Sequence, residues 1–482
     1  MTAACTSVAS RPAAGEVAAQ PIRFVSMYEK SAKIYPRSVQ GRYAQLRWLI
    51  VGVTQAVFFG LPWLHWNGRQ AVFFDLDAPR FHVFGLVLQP QDLVFLAGLM
   101  VIAALALFFF TALAGRLWCG YACPQTVYSE IYQWIELKAE GDRHARIRLD
   151  AQPWTFDKLR RRAAKHALWL AVALAAGFTF VGYFVPIRGL PAQLAQAGLV
   201  SWPVFWLLYA GVLHGHAGFM REQICKYMCP YARIQSTLID GDSLVIAYDS
   251  ARGEPRGSRP RRTDPLSVGL GSCTDCTLCV QVCPAGIDIR NGLQNECIGC
   301  AACIDACDDV MKKMDYPTGL IRYATSHAVE RKLTRPQMLR RMLRPRVLVY
   351  GALLSAAGTA FAVGLALRTP VGLDLMRDRG VMARLGDDGH LENLYRVKLT
   401  NRGERALEVR LSAHGLAGLA IDPAAPLKLE PGEVRALAIR LSLAPAAAAA
   451  LEPGARPVRV AVTESGQAVP AVQEKTTFVV PR

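Results

Sequence analysis

Five stretches of the chain are almost continuously apolar for about 20 residues, the length needed to cross a bilayer core. They run over 46–64, 93–114, 166–186, 199–219 and 346–367, and each predicts a transmembrane helix. Residues 1–45 are polar, and no short apolar region with a small-residue cleavage site opens the chain, so no cleaved signal peptide is expected. From about residue 390 the period changes to two. Residues 394–399 (LYRVKL) alternate, Asn401-Arg402-Gly403-Glu404 reads as a turn, and the alternation returns over 407–411, 434–439 and 458–462. Short alternating strands with Gly and Pro between them predict a β-sandwich of immunoglobulin type. No cysteine falls within it, so an inter-sheet disulfide is excluded.

Charge turns this pattern into a topology. Lys and Arg number 55 against 38 Asp and Glu, a net of +17. Seven of the cations fall in 1–47, two in 65–92, ten in 115–165, one in 187–200 and nineteen in 220–346. This alternation follows the positive-inside rule. The N-terminus and the 220–345 segment are expected in the cytoplasm, and the tail from 368 on the other side of the membrane. That tail is nearly balanced, with 16 Lys/Arg and 13 Asp/Glu. Topology accounts for the basic excess, which leaves no reason to invoke a nucleic-acid partner; membrane lipid is the partner expected. Trp63, Trp66 and Trp202 lie near span ends, where an indole suits headgroup depth. With only 19% charged residues against about 25% in an ordinary soluble chain, neither a disordered chain nor a small disulfide-stapled scaffold fits.

Thirteen cysteines carry the candidate chemistry, and twelve fall into three sets. Cys273, Cys276, Cys279 and Cys283, followed by Pro284, read C-x2-C-x2-C-x3-C-P. Cys297, Cys300, Cys303 and Cys307 repeat the spacing, with Asp308 in place of proline. Zinc sites use two C-x2-C pairs or Cys/His mixtures and do not need this doubled run. Disulfides are disfavoured in a cytoplasmic segment. The doubled run resembles bacterial two-cluster ferredoxins, in which three cysteines wrap one [4Fe–4S] cube and the fourth reaches the other. The resemblance implies that Cys273, Cys276, Cys279 and Cys307 hold one cluster, and Cys297, Cys300, Cys303 and Cys283 the second.

The third set is a repeated C-x-Y-x-C-P. Cys119 and Cys123 follow the second apolar stretch, and Cys225 and Cys229 follow the fourth, 106 residues later. On a helix, residues four apart have Cβ atoms about 5–6 Å apart, wider than the ~3.5–4.5 Å of a disulfide. Thiolates so placed suit a bridging soft ion such as Cu(I). The following prolines bias Cys123 and Cys229 away from helical geometry, so a helix is expected to end there. The alternative is that all four are small buried residues at helix ends. Haem attachment is not expected, because C-x-x-C-H is absent. His214 and His216 lie in the fourth stretch, where ionisable groups are functional candidates; they are candidates to ligate copper or to sit near a quinone. His166 reads as interfacial, Met220 and Met228 as packing residues, and Cys5 is assigned no role.

These features fit a multi-domain membrane protein. It combines an α-helical transmembrane bundle of about five spans, an α+β two-cluster bacterial ferredoxin-like domain and a C-terminal all-β immunoglobulin-like sandwich. The expected boundaries are a cytoplasmic segment 1–45, four spans with the first C-x-Y-x-C-P in 46–220, and the second motif with a linker in 221–265. The ferredoxin domain follows in 266–320, a basic juxtamembrane segment in 321–345, the fifth span in 346–367 and the sandwich in 368–482. The chain resembles the FixG/CcoG (RdxA)-type accessory proteins of cytochrome c oxidase across nearly its full length. The resemblance rests on Ile34-Tyr35-Pro36-Arg37, Arg47-Trp48, Leu61-Pro62-Trp63, Trp66 to Val72 and Phe74-Asp75-Leu76. It rests also on both C-x-Y-x-C-P pairs, both cluster runs and a C-terminal domain opening near Arg377-Asp378-Arg379. It implies a role in assembling cbb3-type oxidase, with copper chaperones and oxidase subunits as partners. The implied activity is that of a cupric reductase, in which a cytoplasmic electron donor feeds the clusters and Cu(II) is reduced to Cu(I) near the C-x-Y-x-C-P thiols. Two other readings stay open: a quinone-linked membrane ferredoxin, and an assembly scaffold whose clusters are structural.

Overall fold

The computed structural model describes residues 33–196, 202–261, 263–377, 383–386, 388–465 and 470–481. Cys5, residues 199–201 of the fourth apolar stretch and the Asp378-Arg379 opening of the C-terminal domain lie outside them. Among the described residues, four helices are long and apolar enough to cross a membrane: Arg42–Trp63, Pro90–Ala114, Phe156–Val181 and Pro345–Ala366. The third starts where Thr155 accepts a hydrogen bond from the Lys158 N–H, and the last starts with proline at its first position, where no N–H is needed. The second and last helices pack as a pair through Phe95 and Phe361, whose ring centroids lie 5.9 Å apart. Their other faces expose Leu93, Val94, Met100, Leu348 and Val349, a surface suited to lipid.

The expected fourth span takes a different form. Trp202–Leu213 is α-helical, and His214–Met220 continues it as a π-helix. Gly215 and Gly218 lower helix propensity there. Gly218 also lies against Trp169, where an added Cβ would come within 3.1 Å of the indole. Deeper in the bundle, a Cβ on Gly177 would lie 2.8 Å from the Trp206 carbonyl oxygen, so this broken helix packs closely on the third spanning helix.

At the end of the bundle where the second helix stops sits the cysteine-rich unit. Val245–Tyr248 pairs antiparallel with Ile321–Ala324, and between them each cysteine run leads into a helix, Leu278–Gln281 or Ala302–Met314. Ile246, Ile289, Ile304, Met311, Leu320 and Ile321 form its core.

The sandwich sits at the opposite end. One sheet orders Ala420–Asp422, Val434–Leu443, Leu391–Asn401 and Val371–Arg377, with Arg384–Leu385 added to Leu391–Asn401. The other orders Leu427–Leu429, Leu407–His414, Gly454–Glu464 and Val472–Val480. Period-two alternation turns Tyr395, Val397 and Leu399 inward to meet Val460, Val462 and Phe478. The Tyr395 hydroxyl donates to the Thr477 carbonyl at 2.6 Å, tying the sheets together. Glu404, in the turn read from the sequence, pairs with Arg69 at 2.9 Å and accepts from Asn67 at 2.7 Å, which docks the sandwich on the loop after the first helix. Arg368 and Asp92 form a buried pair at the same seam.

Candidate functional site

The two cysteine runs are related by a constant offset of 24 positions, and their backbones repeat as well. Asp275 and Thr277 flank Cys276 with φ of 53° and 55°; Gly299 and Ala301 flank Cys300 with φ of 72° and 60°. Three of these four left-handed residues are not glycine, and Thr277 is β-branched, so the loops hold a rare conformation. Successive turns of this kind point backbone N–H groups inward, a cradle suited to the negative sulfurs of an iron–sulfur cluster.

Each loop closes over a small cavity. Cys273, Cys276, Cys279 and Cys307 line the first, with Leu278, Val310, Met311, Leu320 and Ile321. Cys283, Cys297, Cys300 and Cys303 line the second, with Ile246, Ile287, Ile289 and Ile298, and Cys279 also touches its wall. The fourth cysteine of each run thus faces the other run's cavity. Among the described residues no three Cys, His, Asp or Glu side chains come together for one metal ion. Four sulfurs around an apolar hollow fit a larger group, and the donor set fits a [4Fe–4S] cube in each. Burial pushes the thiols of Cys279 and Cys297 up to about 11, and those of Cys283 and Cys307 up to about 12. Loading as thiolates therefore releases protons.

The second cavity's loop is bolted to the bundle. Asp305 accepts from the Ala44 and Tyr43 N–H groups at 2.8 and 3.2 Å, capping the first spanning helix from outside it. Gly41 makes room for it, since a Cβ there would lie 2.4 Å from the Asp305 carboxyl carbon. Arg47, only 6% exposed, donates to the Cys300 carbonyl at 2.6 Å. Arg116 donates to the backbone oxygens of Asn295 and Cys297, and to Ala232 at 2.7 Å. Tyr323 donates to the Gly299 carbonyl at 2.6 Å and meets the Tyr121 hydroxyl at 3.2 Å. Gly120, between Cys119 and Tyr121, rests on this loop. A Cβ there would lie 2.7 Å from the Gly299 carbonyl carbon and 2.8 Å from the Cys300 nitrogen.

The four remaining thiols gather on the same face. Cys119 lies in the middle of the short helix Leu117–Tyr121, and its Sγ donates to Gln235 Oε1 at 3.2 Å. Cys225 lies in a second π-helical turn, Ile224–Met228. Cys123 and Cys229 are both extended, and Pro124 and Pro230 open the helices Pro124–Ala139 and Pro230–Leu238. The prolines therefore break the helix at the second cysteine of each pair, as their position predicts. Burial pushes Cys119 up to about 12, helped by the charges of Cys123 and Cys225. Burial pushes Cys225 up to about 11, helped by Cys123 and Cys229. The two copies of the motif thus converge, without closing a three-ligand set for one ion. A cavity of about 580 Å³ opens beside them in the seam, reached by both Cys225 and Cys300.

His214 is elsewhere, packed among Tyr132, His166, Trp169 and Phe219. His216 offers its backbone carbonyl to Gln125 and Arg221. Met228 is 55% exposed and does not pack in a core. Sequence reasoning missed Gly120, Arg116 and Asp305 as functional positions. The spacer positions of C-x-Y-x-C-P were the available signal for Gly120, but its partner lies 179 residues on.

Comparison with known proteins decides the family. The chain matches the 4Fe-4S binding domain family over residues 96–140, the 4Fe-4S dicluster domain family over 220–326, and the IG-like fold at the C-terminus of FixG over 361–481. It is 39% identical to the nitrogen fixation protein FixG of Rhizobium meliloti over 423 residues, covering 81% of this chain and 80% of that one. The chain belongs to the FixG family. Protein RdxA and protein RdxB of Cereibacter sphaeroides are 39% and 41% identical, each over 82% of this chain and 84% and 85% of their own. This FixG-family member is accordingly an iron–sulfur electron-transfer protein of the membrane, with redox activity and 4Fe–4S domains.

Proposed function

We propose that this FixG-family protein reduces Cu(II) to Cu(I) at the C-x-Y-x-C-P thiols during maturation of cbb3-type cytochrome c oxidase. Cys273, Cys276, Cys279 and Cys307 hold one [4Fe–4S] cluster, and Cys283, Cys297, Cys300 and Cys303 the other. When bound, the clusters supply electrons one at a time, matching the single electron that Cu(II) accepts. The observation that carries the reading is the packing of Gly120 on Gly299 and Cys300. It joins the first thiol pair to the second cluster loop with no side chain between them. Cys119, Cys123, Cys225 and Cys229 are the soft donors that favour the Cu(I) product. Arg47 and Arg116 hold the cluster loop in register with the thiols. In the topology proposed, thiols and clusters face the cytoplasm, where a donor protein reduces them, and the sandwich lies in the periplasm, near copper chaperones and oxidase subunits.

The test uses the full-length protein, purified anaerobically in detergent and reduced. Cu(II) is added with a Cu(I)-trapping dye, and cluster bleaching is followed beside dye colour. One Cu(I) per electron lost, abolished in Cys225→Ser/Cys229→Ser with cluster absorbance intact, is expected. Copper reduction unchanged in that variant moves the site away from the thiols. No copper reduction, with clusters oxidised by a quinone instead, replaces the reading with the quinone-linked one.

A further inference from the structure

Two imidazoles meet inside the bundle, apart from the thiols. His166, on the third spanning helix, and His214, the first residue of the π-helical segment, have ring centroids 6.0 Å apart. Two imidazole nitrogens each about 2.0 Å from one ion put the ring centres at about this distance when the three atoms are nearly in line. The Nδ1 of His214 is buried and has no hydrogen-bond partner. A buried polar atom left without a partner destabilises the fold unless something binds it. The π-helix bears on the same point, because π-bulges recur where a helix is distorted for function. Here it begins at the histidine that meets His166.

The surroundings favour one small, soft cation. Trp169 lies 5.2 Å from the His166 ring and 6.0 Å from that of His214, and Phe219 lies 5.8 and 5.6 Å from the same two rings. Nearby cations are paired off: Lys165 with Glu140 at 2.8 Å, Arg162 with Asp150 at 2.6 Å, and Arg221 with Glu136 at 2.7 Å. Among the described residues no third Cys, His, Asp or Glu joins the pair. Two neutral donors in line satisfy Cu(I), whose filled d shell accepts two-coordination. Cu(II) and zinc seek about four ligands.

We propose that His166 and His214 form a two-coordinate Cu(I) site in the membrane bundle. It is a holding point for the product of the reduction proposed above, on whose reading its purpose rests. The chain runs from His214 to Cys225 in eleven residues, through both π-helical segments. His216, a candidate ligand in the sequence, is replaced in this role by His166.

The test supplies Cu(I) directly. Full-length protein carrying Cys119→Ser, Cys123→Ser, Cys225→Ser and Cys229→Ser is titrated anaerobically with Cu(I) against bicinchoninate, and the bound copper is examined by X-ray absorption. One Cu(I) with two nitrogen neighbours is expected. His166→Gln or His214→Gln should each weaken it by more than about 100-fold, more than the loss of a group that only supports a ligand. Cluster absorbance reports folding; if His214→Gln lowers it, His166→Gln carries the test. No bound Cu(I), binding that survives both substitutions, or binding lost with His216→Gln and kept with His166→Gln overturns the site. Because no electron transfer is needed, failed binding beside intact copper reduction removes only this site. Intact binding beside absent copper reduction removes only the function proposed above.

Discussion

The two cysteine cavities share a spacing and a backbone, yet they stand in different places. In the first, Cys276 is exposed, and Arg290, joined to Asp275 and Asp288, guards a face open to solvent. In the second, the equivalent Cys300 is covered by Arg47, Tyr323 and the glycine of the first C-x-Y-x-C-P. One repeat therefore yields an outward position and a position wedged against the membrane bundle. The motif specifies what is held. In the function proposed above, electrons enter at the first cavity and leave from the second.

The largest effect expected is on the crossed ligation. Cys307→Ser, although in the second run, should empty the first cavity, while Cys303→Ser should empty the second. Each should remove about half the iron, as expected for two cubes of equal size. Iron analysis with electron paramagnetic resonance of the reduced protein checks it. Identical surviving signals would break the comparison. Next comes Gly120→Ala, whose methyl has no room against backbone and costs about 1–3 kcal/mol as an overpacked contact. It should lower copper reduction at least several-fold and disturb the second cluster's signal, leaving the first unchanged. Arg47→Gln removes a buried cation beside the second loop. It should shift that cluster's midpoint potential to more negative values and leave the other in place, as read by redox titration.

The smallest effect concerns the strap 33–41, which runs beside the second cavity and whose Arg37 N–H donates to Gln281 O at 2.8 Å. Burial raises the pKa of Asp150, but hydrogen bonds from Lys33 and Tyr35, both at 2.6 Å, outweigh it and hold the carboxyl well below its ordinary range. A depressed pKa means stability present at neutral pH and lost as pH falls through the folded value. Asp150→Asn should therefore melt below wild type at pH 7. That gap should persist as pH drops past 3.8, the ordinary aspartate value, and close only below it. A gap already closed above that value would show that the strap is not held by the ionised carboxylate.

Much of this was legible in the chain because it depends on local period or spacing. Tyr395, Val397 and Leu399 point inward as their alternation requires, and the prolines after Cys123 and Cys229 stop the helices there. The cavities fall where the doubled run puts them. What was not legible depends on partners far apart in the chain. Asp305 caps a helix that begins at Arg42, and Gly120 is small because of Gly299. The fourth apolar stretch reads as a regular span by hydropathy, but the glycines within 214–218 and the Trp169 ring against Gly218 favour a π-helix. That distortion pairs His214 with His166 and leaves His216 aside.

The central claim is that the second cavity, and not the first, faces copper. The most direct measurement is a single-turnover comparison of Cys307→Ser and Cys303→Ser proteins, each reduced chemically and mixed anaerobically with Cu(II) and the trapping dye. The account predicts that Cys307→Ser, retaining the second cluster, still yields Cu(I) at close to the wild-type rate per cluster, while Cys303→Ser does not. Equal rates in both, or activity kept only in Cys303→Ser, would contradict it.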